Sequence, residues 1–114
     1  MKYKTKHTFA FTHKRIMNLD ELLAAIFWKE SSGIRQEQAK KVIELIRNEE
    51  GHRRNIFNGL DKKETSYMYE TLNALKALEI IRKEANTYVF SRGFYNKLEY
   101  IKEVLLRENM VPIK

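Results

Sequence analysis

The sequence predicts a mainly α-helical fold with a small β-hairpin, organised as one domain. Three observations lead there. Breakers are sparse: the 114 residues include four glycines, at 33, 51, 59 and 93, and one proline, at 112. The long intervals between them repeat apolar residues every three or four positions, the period of a helix. Within 65–93 that period then shortens to the alternation of strands. Lastly, a chain of 13.7 kDa can bury roughly two-thirds of its unfolded surface in one core. It has no cysteine, so disulfides, cysteine–zinc staples and thiol chemistry are excluded.

The elements follow in order. Asn18 and Glu21 have the spacing of a capping box and open a helix over about 19–29 that turns Leu22, Leu23, Ile26 and Phe27 inward. Ser31-Ser32-Gly33 ends it. A second helix, about 36–50, turns Ala39, Val42, Ile43 and Ile46 to one side, and Gly51 is placed to cap its C-terminus. A short third helix, about 52–58, supplies Ile56 and Phe57 before the strong turn signal Asn58-Gly59. The long helix over about 62–79 carries Met68, Leu72, Leu75 and Leu78 on one face and Ser66, Tyr67, Glu70, Asn73, Lys76 and Ala77 on the other. A hairpin over 80–91 opens with Ile80-Ile81 and returns through the sequence TYVFS.

A last helix, about 94–109, stops before Pro112. Phe94, Leu98, Ile101 and Leu105 form one apolar group on it, and Tyr95, Tyr100, Val104 and Leu106 a second. Two groups exceed what a single seam against a small domain uses. The surplus suits a second copy of the chain, or cover by the first helix or the N-terminal segment. Trp28 and Phe27 on the first helix pose the same choice.

The formal charge of +7 is unevenly placed. Residues 1–17 hold Lys2, Lys4, Lys6, Lys14 and Arg15 with no acid, and so read as a basic N-terminal arm ahead of a domain over 18–114. Residues 51–97 carry nine bases against five acids, whereas 18–50 carry five bases against seven acids and 98–114 balance. Positive charge gathered on the long helix, the hairpin and the arm favours a polyanionic partner; an idle basic surface is the plainer alternative. No apolar run reaches the ~20 residues of a membrane helix, and the opening has no hydrophobic stretch of signal-peptide length. The expectation is a cytoplasmic protein.

A helix with a polar outer face, followed by a hairpin, in a basic chain is how a winged helix-turn-helix presents itself to DNA. Met68-Tyr69-Glu70-Thr71-Leu72-Asn73-Ala74-Leu75, followed by Ile80-Ile81, resembles the recognition-helix signature of PadR-like winged helix proteins. Tyr88-Val89-Phe90-Ser91-Arg92-Gly93 is similar to the return strand of that family's wing. The resemblance spans about 53–106. Two departures stand out: Glu79 replaces the usual glycine before the wing, which predicts a helix end without a left-handed cap, and the serine-to-glycine spacing is one residue short. The resemblance implies a winged helix-turn-helix with extra N- and C-terminal helices. It implies a homodimer formed through terminal helices, with one recognition helix per subunit in the major groove; the helix at 94–109 is assigned to dimerisation here, with the first helix as the alternative dimer surface. Transcriptional regulation is the first expectation. Related proteins bind centromeres in plasmid partition, so a DNA partition role alongside a partner ATPase is the alternative, and a protein-interaction module the third.

Phosphate contacts would dominate affinity. Arg53, Arg54, Lys62 and Lys63 flank the turn and are candidates to brace the long helix on the backbone. Thr65 and Ser66 fall in its first turn, where free N–H groups favour a phosphate. Base reading falls to Ser66, Tyr67, Glu70 and Asn73: Asn73 suits adenine, and Glu70 suits a cytosine amino group or a nearby lysine. Arg82, Lys83 and Asn86 belong to the wing. Tyr69 reads as half core. His7, His13 and His52 lack metal-ligand spacing, and no glycine-rich phosphate loop precedes a helix. The expectation is therefore no enzyme, no metal and no cofactor.

Overall fold

The computed structural model describes residues 16–29 and 33–112. The expected basic arm over 1–17 thus lies outside the described residues except for Ile16 and Met17. The element order is α1 (Leu19–Ile26), α2 (Ile34–Arg47), α3 (Arg53–Ile56), α4 (Lys62–Ala77), β1 (Ile81–Glu84), β2 (Thr87–Phe90) and α5 (Gly93–Arg107). The strands pair antiparallel, with Ile81 opposite Phe90 and Glu84 opposite Thr87. The chain is therefore helix-rich with one two-stranded hairpin among its described residues, and the expected element boundaries shift by less than a turn.

The core gathers around α2. Ala39, Val42, Ile43 and Ile46 are buried as their spacing predicts, against Leu23 of α1 and Phe27 at its C-cap, Ile56 of α3, Met68, Leu72 and Leu75 of α4, and Ile81 and Tyr88 of the hairpin. Lys40 reaches Asp20 at 3.0 Å on the outside of the α1–α2 pair, and that carboxylate raises the Lys40 pKa above its ordinary value. The segment before α3 is stitched to β2: Gly51 O accepts the Tyr88 N–H at 2.9 Å, His52 bridges Thr87, and the Arg53 N–H donates to Asn86 O at 2.8 Å. This is the work of Gly51. A Cβ there would strike the Tyr88 carbonyl, so glycine is needed for a close approach and not as the expected cap of α2.

The helix ends correct the sequence reading in a consistent way. α2 ends on a left-handed residue, Glu49 at φ 62°, with the Glu50 N–H on Leu45 O and the Glu49 N–H on Ile46 O. α4 repeats this pattern with Glu79 at φ 62°, the Ile80 N–H on Leu75 O and the Glu79 N–H on Lys76 O. So does α5, with Asn109 at φ 58°. These are Schellman ends. The left-handed cap expected to be missing at Glu79 is present, without glycine. At the start of α1 the Asn18 side chain accepts the Glu21 N–H at 2.8 Å, but Glu21 returns to the Met17 N–H at 2.7 Å instead of to Asn18. The expected capping box is therefore opened by one residue.

α5 stands apart. None of its residues is buried, and it packs along none of the other described elements. α1 therefore does not cover its surplus apolar surface; Tyr95, Leu98, Tyr100, Ile101, Val104 and Leu106 are all exposed.

Candidate nucleic-acid interface

The α3–turn–α4 segment and the hairpin lie side by side, and one side chain joins them. The Arg53 guanidinium sits over the Phe57 ring at 5.1 Å and the Tyr69 ring at 5.3 Å, and donates to the Tyr69 hydroxyl. The two rings themselves meet at 4.7 Å, an arrangement in which a planar cation gains from both faces. With its backbone bonded to Asn86, Arg53 fastens α3, α4 and the hairpin turn together. Tyr69 is exposed, at 39%, and so lies outside the core instead of half within it as expected; its ring rests on Phe57 and its hydroxyl is taken by arginine. Tyr88 lies close by in the core; its burial raises the phenol pKa, against the lowering pull of Arg53. Arg54, by contrast, is exposed, and its backbone N–H donates to His52 Nδ1 at 3.1 Å.

The start of α4 is closed by acids. Asp61 accepts the Glu64 N–H at 2.7 Å while Glu64 accepts the Asp61 N–H at 3.0 Å, a full capping box. The Thr65 N–H donates to Asp61 O at 2.9 Å. Thr65 and Ser66 therefore lie past the first turn with their amides in the helix ladder, which corrects the expectation that they offer free N–H groups to a phosphate.

The outer face of α4 matches its spacing. Lys62, Lys63, Ser66, Glu70, Asn73 and Lys76 are all exposed, and Ser66, Glu70 and Asn73 stack at successive turns. Tyr67 is half-buried, with Lys63 Nζ 6.0 Å from its ring. Glu70 has a partner, although not a lysine: Arg35 of α2 donates to it at 2.9 Å. Beneath the face, Thr71 is fully buried. Its hydroxyl lies 2.8 Å from Gln38 Oε1 and 3.0 Å from Tyr67 O, and Gln38 Nε2 reaches Glu64 O at 3.4 Å. This polar interlock holds α4 in register on α2. A threonine at a core-facing helical position with a glutamine on the partner helix was its only sequence signal.

On the hairpin, Arg82 is engaged internally, by Glu84 at 2.6 Å and by Phe90 O at 3.2 Å. Lys83 is exposed, with its Nζ 5.8 Å from the Tyr88 ring. Asn86 closes the two-residue turn with Ala85, which takes φ 57° where hairpins favour glycine. The predicted site residues thus fall into two sets. Arg54, Lys62, Lys63, Ser66, Asn73, Lys83 and Asn86 are exposed along α3, α4 and the hairpin, as are Glu70 and Arg82 although each has a partner within the protein, whereas Arg53, Thr65 and Tyr67 are half-buried. Among the described residues no group of histidines and acids could hold a metal ion, and no helix is long and apolar enough to cross a membrane. Comparison of the chain with protein families, curated proteins and solved structures found no match.

Proposed function

We propose that this chain is a winged helix-turn-helix protein that binds double-stranded DNA as a homodimer, with α4 in the major groove and the hairpin as its wing. Transcriptional regulation is the role that fits such a protein most simply. The observation carrying this reading is the outer face of α4: Lys62, Lys63, Ser66, Asn73 and Lys76 are exposed together, and Arg53 fixes the hairpin turn beside them. Lysines at the start and end of the face suit phosphates on either side of a groove, and the short polar side chains between them suit base edges. Dimerisation through α5 is supported by the exposure of Tyr95, Leu98, Tyr100, Ile101, Val104 and Leu106, which no other described element covers, because a monomer seldom leaves such a patch in water.

Fluorescence anisotropy with mixed-sequence duplex DNA at two salt concentrations tests the reading. Binding is expected at micromolar concentration or tighter, weakening steeply as salt rises. No binding at low salt would refute it. A footprint then separates roles: one protected site of dimer size indicates a regulator, and protection that spreads indicates a coating protein of a partition system.

A further inference from the structure

Arg35 is the second residue of α2, the end of a helix at which the backbone dipoles disfavour a cation. Its side chain is nonetheless largely covered, 18% exposed, and lies 2.9 Å from a Glu70 carboxylate that is itself 58% exposed. Glu70 sits one turn from Ser66 and one from Asn73, among Lys62, Lys63 and Lys76. A carboxylate in the middle of a cationic face is the residue least suited to approach a polyanion. Phosphates repel it, and the floor of the major groove offers it donors only where cytosine or adenine presents an amino group.

We propose that the Glu70–Arg35 pair sets the sequence selectivity of the α4 face. Glu70 admits duplexes that place an amino group opposite it and rejects others, and Arg35 is the positioning residue that aims the carboxylate and offsets its charge. This rests on the DNA-binding reading of α4. The unequal exposure assigns the roles: the covered guanidinium has little surface left for a phosphate, while the carboxylate faces outward. The pair spans two helices and leaves the core untouched, so removing it alters recognition more than folding.

Four proteins test this: wild type, Glu70→Gln, Arg35→Met and the double variant, each titrated with a mixed-sequence duplex and with the wild type's own preferred duplex from a randomised pool. Glu70→Gln is expected to bind the mixed duplex about three- to tenfold more tightly, the effect of one like charge removed near phosphates, and to lose most of its preference for the selected one. Arg35→Met is expected to weaken binding to both duplexes, the preferred one more because the carboxylate is no longer aimed, yet to have no effect once Glu70 is already Gln. Melting temperatures within about 3 °C of one another show that the variants fold alike; Arg35→Gln replaces Arg35→Met if the latter melts lower. If Glu70→Gln leaves binding to mixed DNA and selectivity unchanged, the proposal is overturned while the DNA reading stands. Equal weakening by Arg35→Met in both backgrounds makes Arg35 a phosphate contact and also overturns it. A wild type that binds no duplex removes the DNA reading itself.

Discussion

α4 and α5 are helices of 16 and 15 residues with opposite fates. α5 separates apolar from polar residues more sharply along its length, yet it buries none of them, whereas α4 buries Met68, Thr71, Leu72 and Leu75. Amphipathic spacing gives a helix a face; what meets that face is decided elsewhere in the fold. For α4 the partner is α2, which supplies both apolar contact and the Gln38–Thr71 interlock. For α5 no described element takes that place.

The largest consequence of this contrast is energetic. Leu72→Ala should lower the unfolding free energy by about 3–5 kcal/mol, the cost of a cavity in a packed core. Leu98→Ala, at a protein concentration low enough to keep subunits apart, should change it by under about 0.5 kcal/mol. Urea denaturation measures both, and a Leu98 cost rivalling that of Leu72 in the dilute protein would break the contrast. Next comes assembly. Light scattering of the wild type at tens of micromolar should give the mass of two chains, and Leu98→Lys with Ile101→Lys should give one. The same double variant should weaken DNA binding about a hundredfold, because the second subunit's contribution is lost. A monomeric wild type would overturn dimerisation through α5. The smallest effect belongs to the polar interlock. Thr71→Val strands Gln38 without its donor and should cost about 1–2 kcal/mol by thermal or urea unfolding, while an equivalent change on the exposed face of α4, Ser66→Ala, should be nearly silent.

Much of this fold was legible because helical spacing reports which side of a helix is inward. The inward residues of α2, the scaffold of α4 and the outer set Ser66, Glu70 and Asn73 all follow from counting. The helix ends were less legible. Glycine signals a left-handed end because it alone enters that region freely, but here Glu49, Glu79 and Asn109 occupy those ends, and Gly51 and Gly93 serve close contacts. Their Schellman hydrogen bonds hold conformations that the residue types do not favour. The partners of the charged residues were hidden for a different reason. Arg35 meets Glu70 across 35 positions of sequence and Arg53 meets Tyr69 across 16, and such pairings exist only once helices have been placed. One clue was nevertheless available: an arginine in the first turn of a helix is electrostatically out of place and asks for a compensating acid.

The end of α4 and the beginning of α5 meet at Glu79. Its carbonyl accepts the Phe94 N–H at 3.0 Å, its carboxylate holds Lys97 at 2.7 Å, and its Cβ lies so near Gly93 that any side chain there would collide with it. The hydrogen bond and the ion pair at this one residue link the start of α5 to the end of α4, so the direction in which α5 leaves the domain is tied to the axis of α4. In a dimer built on α5, that joint would work like the setting of a caliper. It would determine how far apart, and at what rotational phase, two α4 helices are held. One residue inserted within the first turn of α5 would turn the Leu98–Ile101 seam by about 100° relative to α4. If the proposed DNA binding holds, each subunit would still bind, and the pair would measure a different distance along the duplex.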